Sequence, residues 1–229
     1  MGETTRDFRQ IVWDATVDDD CRQLVRLAVR EDLQRAQDFT TNALVPHDAT
    51  AAAAIVVREV GVLAGMPAVK TVLEEMAPAL FLTINVSDAE LVTPGTTVAR
   101  IEGPARNLLT CERILLNFLG RLTGIATLAR CYVDAVAGTG ARIYDTRKTS
   151  PGWRRLEKYA ARCGGATNHR TGLFDAVLIK DNHLAQGAAS QVGGRYSPQE
   201  AVERARDYLT QQLGRDASSM PVEIEVDTL

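Results

Sequence analysis

From residue 18 to 36 polar and apolar positions follow helical spacing, with Leu24, Leu27, Ala28 and Leu33 on roughly one face, which predicts an amphipathic helix. Between 50 and 103 the texture changes. The short β-prone runs ATAAAAIVVREVGVLAG, FLTINV and TTVARIEG are broken by Gly and Pro, and the helical stretch MPAVKTVLEEM lies between them. This is an α+β pattern, with a Pro94-Gly95 turn leading into its last strand. Residues 105–137 give the longest helical pattern. Leu108, Leu109, Leu115, Leu116, Leu119, Leu122 and Ile125 make it apolar nearly all round, predicting a helix buried between layers or at a subunit interface. Gly120 and Gly124, spaced G-x-x-x-G, predict close helix packing there. Arg113 falls in the same helix; a buried guanidinium needs an anionic partner, and a structural carboxylate and a ligand stand as equal candidates.

After residue 140 strands and helices alternate. ARIYD predicts a strand, and SPGWRRLEKYAARCGG predicts a helix with Ser150 as N-cap, Pro151 at its first position and Gly164 just past its end. Trp153, Leu156, Tyr159, Ala160 and Cys163 supply the buried face of that helix. FDAVLI is the next strand. The helix SPQEAVERARDYLTQQLG opens with a capping box from Ser197 to Glu200 and carries the apolar stripe Ala201, Val202, Ala205, Tyr208, Leu209 and Leu213. VEIEV is a third strand, with Glu223 and Glu225 on one face. Strand–helix–strand–helix–strand at this spacing predicts parallel βαβ units.

Composition narrows the classes of function. Across 229 residues, 45% hydrophobic and 24% charged describe an average globular chain, long enough for one large domain or two small ones. A net charge of −3 and a pI near 5.7 argue against nucleic-acid binding by bulk charge. No apolar leader or lipid-anchor pattern is read at the start, and no apolar run approaches a membrane span, so the expected location is cytoplasmic and off the membrane. Cys21, Cys111, Cys131 and Cys163 lack metal spacing and read as reduced packing residues.

Against that acidic background, the cations of residues 145–184 stand out. Each predicted strand ends in polar chemistry: Asp145, Thr146, Arg147 and Lys148 after the first, Lys180 to His183 after the second, Glu225 and Asp227 at the third. In parallel α/β folds the carboxyl ends of the strands share one side, where ligands bind. His169 and Arg170 sit in the connection before the second strand, ordinarily the opposite side, so something must bend that connection. Cations clustered on one mouth repel unless an anion is bound, and Arg grips carboxylate or phosphate as a bidentate fork. Glu225 on that mouth suits a metal or a positive centre in a transition state. A highly anionic small substrate is expected.

These residues resemble the quinolinate phosphoribosyltransferase family, nearly collinearly. The resemblance is carried by REDLQRAQDFTTNALVP, GVLAG, CERILLNFLGRLTGIAT, DTRKTSPGWRRLEKYA, GGATNHRTGLFDAVLIKDNH and VEIEVDTL. It implies an α/β fold: an N-terminal α+β sandwich-like domain over 1–112, with the start of the long helix, then a parallel α/β barrel over 113–229, incomplete in this chain. It also implies transfer of phosphoribose from 5-phosphoribosyl 1-diphosphate to quinolinate with magnesium, releasing carbon dioxide and diphosphate and giving nicotinate mononucleotide for de novo NAD biosynthesis. Arg113, Thr146, Arg147, Lys148, His169, Arg170 and Lys180 would bind substrate, with Arg113 contributed across a homodimer. Arg147, His169 and Arg170 would hold the quinolinate carboxylates. Lys148 and Lys180 would face the ribose, phosphate and leaving group, with Lys148 and Glu225 as catalytic residues and Glu225 on the metal side.

Two departures from the family stand out. Arg121 occupies a helix position that is often His. Three predicted strands cannot close a barrel, and the family continues with further strands that bring an Asp to the Glu225 side. A truncated chain is therefore expected. A paralogue acting on another anionic aromatic acid, and a catalytically dead metabolite-binding protein, are the other readings.

Overall fold

The computed structural model describes residues 7–187 and 194–226. The chain divides into two compact units, Gln10–Asn168 and a smaller one of Met1–Arg9 with His169–Leu229.

The larger unit opens with α1 (Ala15–Leu33), whose N-cap Asp14 accepts the Thr16 and Val17 amides, and α2 (Phe39–Leu44). Strands β1 (Thr50–Val56), β3 (Phe81–Ile84) and β5 (Thr97–Pro104) form an antiparallel sheet in the order β1-β5-β3; β2 (Gly61–Val62) pairs with β4 (Leu91–Val92). Helix α3 (Met66–Met76) has a cap from a distant loop: the Asp88 carboxylate accepts the Gly65 and Met66 amides at 2.8 and 3.0 Å. Along β5, Ala99 and Ile101 are buried while Arg100 and Glu102 are exposed, so over this stretch one face covers the core.

The long helix α4 (Ala105–Ala135) is the spine of this core. Leu115, Phe118, Leu119, Leu122 and Ala126 belong to one buried cluster with Val17, Cys21 and Val25 of α1, Val69 and Val72 of α3, and Leu156 and Ala160 of α5 (Arg154–Cys163). By length and composition α4 could cross a membrane, a stretch the sequence pattern passes over; here one face of it packs in the core while Leu109, Leu128 and Tyr132 are exposed.

Several expectations are corrected. On α1 the buried face is Val17, Cys21 and Val25, and Leu27 is 49% exposed. Helix α5 begins at Arg154 rather than Pro151, because Gly152 takes φ +82°, outside the right-handed helical region. Its end at Gly164 is as expected. ARIYD forms one parallel bridge, Tyr144 to Thr167, instead of a strand. Space for a Cβ is open at both Gly120 and Gly124, so neither is a close-packing position within this chain. Cys131 is exposed; Cys21 and Cys111 are buried and Cys163 partly so, and burial raises their thiols to about 12, 11 and 11 respectively.

In the smaller unit, β6 (Val177–Ile179) and β7 (Val222–Ile224) pair in parallel, with Ile179 opposite Ile224, and α7 (Pro198–Leu213) supplies the crossover. The full capping box at Ser197 and Glu200 is present. Of the expected stripe, Ala201 and Leu209 are buried, but Tyr208 is 61% exposed. FDAVLI yields only a three-residue strand: the Asp175 carboxylate accepts the Thr171 and Gly172 amides, and Arg170 takes the Ala176 carbonyl. That turn follows directly on His169 and Arg170. The mixed α/β class and the parallel pairing agree with the sequence pattern.

Candidate active site

Arg113, Thr146, Arg147 and Lys148 lie in Gln10–Asn168, whereas His169, Arg170, Lys180 and Glu225 lie in the smaller unit.

In the larger unit, Thr146, Arg147 and Lys148 share one turn. The Lys148 amide donates to Thr146 Oγ1 at 3.0 Å, and the Thr149 amide to the Arg147 carbonyl at 3.0 Å. The Arg147 Nε is buried and has no hydrogen-bond partner among the described residues, an arrangement that costs desolvation unless a ligand accepts from it. The turn is tied at both ends. Asp145 pairs with Lys158 Nζ and accepts Asn168 Nδ2 at 2.7 Å; Ser150 Oγ accepts Arg121 Nη2 at 2.6 Å. Arg121 also pairs with Glu157 and lies over the Trp153 ring, so the arginine found where the family often carries His is a tether between α4 and α5.

Arg113 is not buried, contrary to the assumption behind its expected partner. It is exposed on α4, in a cleft with Ala54, Val56, Arg58 and Glu112, and forms no ion pair or hydrogen bond among the described residues.

In the smaller unit, Lys180 and Glu225 each follow the carboxyl end of a strand, as parallel pairing requires. The Glu225 amide donates to the Ile179 carbonyl at 2.9 Å, and Lys180 Nζ lies 2.8 Å from Glu225 Oε2. The pair is exposed and contributes on the order of 0–1 kcal/mol to stability. His183 α6 (Asp181–Gly187) accepts the Lys180 amide at Nδ1, 2.9 Å away, fixing the backbone that carries the lysine. His169 pairs with Glu223, Nε2 to Oε2 2.8 Å, and its ring lies 4.1 Å from the Phe8 ring. Because a carboxylate only accepts, Nε2 bears the proton.

Beside Lys180 and Glu225 a cleft of about 730 Å³ is also lined by Asn182, Arg195, Tyr196 and Ser197. Glu223, Lys158, Asn168 and Arg195 are the polar residues that sequence reasoning missed. Only Glu223 had a signal, its alternation with Glu225. Asp227 lies outside the described residues. No group of three or more His, Cys, Asp or Glu side chains suited to a metal occurs among the described residues. Glu225, with one carboxylate oxygen on Lys180, fits a magnesium ion held mainly by phosphate oxygens and water, which needs few protein ligands.

Family models for quinolinate phosphoribosyl transferase match the N-terminal domain over residues 38–123 and the C-terminal domain over 125–229. The nicotinate-nucleotide pyrophosphorylase [carboxylating] of Mycobacterium leprae is 41% identical over 213 residues, 92% of this chain and 69% of that protein. The rice relative of the same name, described as chloroplastic, is 36% identical, and this chain spans 53% of its length. Among solved structures, the nicotinate-nucleotide pyrophosphorylase of Francisella tularensis matches with TM-score 0.79 and 33% identity, covering 97% of this chain and 72% of that one. NadC from Streptococcus pyogenes gives TM-score 0.81 and 35% identity, covering 96% and 71%. Two family models that together span most of the chain, and a relative 41% identical over 92% of it, lead to one conclusion: the chain belongs to the quinolinate phosphoribosyltransferase family.

Proposed function

We propose that this chain transfers the phosphoribosyl group of 5-phosphoribosyl 1-diphosphate to quinolinate, with loss of carbon dioxide, giving nicotinate mononucleotide and diphosphate. The observation that carries the reading is Arg147, whose buried Nε lacks an acceptor among the described residues, in a turn anchored at both ends. A substrate carboxylate supplies that acceptor. His169 and Arg170 complete the grip on quinolinate. Lys148 and Lys180 neutralise the phosphate and departing diphosphate, and Thr146 also binds substrate. As the ring nitrogen bonds to the anomeric carbon and the carbon–oxygen bond to diphosphate breaks, positive charge grows on the ribose, and Glu225 stabilises it. Glu225 would be the protein group that holds magnesium with the diphosphate, and the ion would supply further neutralisation of the leaving group.

The reading includes a homodimer in which Arg113 completes the site of a neighbouring copy. Its support is the exposure of Arg113 and the open space at Gly120 and Gly124 on a helix that also presents Leu128. It includes a division of the chain at 112/113; the two family models meet inside α4, between residues 123 and 125. A cytoplasmic location is supported by four free cysteines.

Equilibrium titration tests the site. Arg147→Ala or Arg170→Ala is expected to weaken quinolinate binding by about 2–5 kcal/mol each, because a desolvated carboxylate loses its partner. Unchanged affinity in both would remove them from the substrate site.

A further inference from the structure

The side chain of Lys158 is 1% exposed, an unusual state for a lysine, and Asn168 is fully buried. Lys158 Nζ pairs with Asp145 Oδ1, and Asn168 Nδ2 reaches both Asp145 Oδ2 at 2.7 Å and the Lys158 carbonyl at 2.8 Å. Asn168 Oδ1 accepts the Ile11 amide at 2.7 Å, and the Gln10 side chain spans the Asn168 backbone, accepting its amide and donating to its carbonyl. A backbone bridge runs alongside: the Asp145 amide donates to the Thr167 carbonyl at 3.0 Å, and the Thr167 amide to the Ile143 carbonyl at 2.8 Å. Every member of this cluster belongs to Gln10–Asn168.

None of these side chains carries the proposed chemistry, yet Asp145 immediately precedes the turn of Thr146, Arg147 and Lys148. A buried ion pair gains little net stability over an apolar pair of the same size, because both charges must be desolvated. It does impose a geometry, since each charge tolerates few positions of the other. The ammonium on Oδ1 and the Asn168 amide on Oδ2 together fix the rotation of the Asp145 carboxylate and, with it, the backbone that starts the turn.

We propose that Lys158 and Asn168 are positioning residues for the substrate-binding turn. Through Asp145 they hold Arg147 and Lys148 in the arrangement that receives the anionic substrate. This rests on the proposed function for its substrate readout but not for its structural one. An apolar helix contact at position 158 would support the fold equally well and leave the turn free to move.

The test compares the protein with Lys158→Met and with the charge-neutral pair Lys158→Met/Asp145→Asn, which leaves no unpaired buried charge if the single variant does not fold. Amide hydrogen exchange over residues 146–149, exchange over α3, melting temperature and quinolinate affinity are measured on the same preparations. Positioning is expected to show as roughly 10-fold faster exchange in the turn, unchanged exchange in α3, and about 10-fold weaker quinolinate binding by the folded protein. A merely structural role lowers the melting temperature and leaves turn exchange and affinity as they were, and that result would overturn the inference. If the unaltered protein fails to bind quinolinate, the proposed function falls, and turn exchange alone decides: faster exchange supports positioning and unchanged exchange overturns it.

Discussion

The two units hold their cations by different means. In Gln10–Asn168 the turn bearing Arg147 and Lys148 is anchored to a continuous apolar core through buried polar groups, Lys158 and Asn168. In the smaller unit the buried apolar cluster is Ile179, Leu184 and Ala201, and Lys180 is held by an exposed carboxylate. A dense interior fixes side chains to small tolerances, whereas an exposed ion pair in high dielectric does not. The comparison separates a rigid recognition element from one whose geometry depends on what binds it. Local opening is correspondingly expected at lower free energy in β6, β7 and α7 than in α4.

The sharpest way to break this comparison is to attack the packing. A Cβ on Gly164 would stand 2.2 Å from the Ala126 carbonyl oxygen and 2.8 Å from the Ala129 Cβ, so α4 and α5 would have to move apart. Gly164→Ala is expected to cost roughly 3 kcal/mol in chemical denaturation, because neither a backbone carbonyl nor an alanine Cβ can swing aside. Gly120→Ala is the counterpart on the same helix. With open space around it, the change is expected to stabilise the isolated chain by up to about 1 kcal/mol through helix propensity. If α4 also forms a contact between copies there, sedimentation will show weaker self-association in that variant. A neutral Gly164→Ala would mean that the α4–α5 seam is not rigid.

In the smaller unit the informative change is Glu225→Gln. Its bond to Lys180 is exposed, so thermal stability is expected to shift by less than about 1 kcal/mol. A role in stabilising charge on the ribose predicts instead a fall in turnover of about 100-fold with quinolinate affinity nearly intact. Rate, affinity and melting temperature from one preparation separate the two. Preserved turnover would sink the catalytic assignment.

What could be read from the chain follows the same division. Helix α4, the stop at Gly164, the capping box at Ser197 and the polar residues at strand ends are local signals, set by spacing within a turn or two, and each is visible in sequence. The features that were missed depend on residues far apart. Lys158 on an amphipathic helix looks like a surface lysine until Asp145 and Asn168 meet it. Asp88 caps α3 from a loop 22 residues beyond Met66. The turn before β6 required Asp175 to fold back onto Thr171 and Gly172, and the strand is shorter than its apolar run. Leu27 fell on the wrong face because the choice between two adjacent apolar stripes was made by packing against α3, α4 and α5.

The smallest expected effect sharpens the contrast at the start of α7, where polar contacts substitute for packing. Glu200 is held below the usual carboxylate range, first by the Ser197 amide and then by the Ser197 hydroxyl, and Ser197 Oγ in turn accepts the Glu200 amide at 3.2 Å. A carboxyl whose pKa is lower in the folded than in the unfolded chain stabilises the fold above its unfolded pKa. That contribution is lost as the pH falls through the lower folded value. Glu200→Gln is therefore expected to reduce protection of the first-turn amides of α7 at neutral pH, with the gap to the unaltered protein closing as the pH falls through the lowered folded value. Ser197→Ala removes a cap that does not titrate, at a cost of about 1 kcal/mol, and its deficit is expected to persist where the carboxyl is protonated. Amide exchange across α7 at several pH values distinguishes the two. A Glu200→Gln deficit that stays constant with pH would show that the carboxylate charge contributes nothing to holding this helix start.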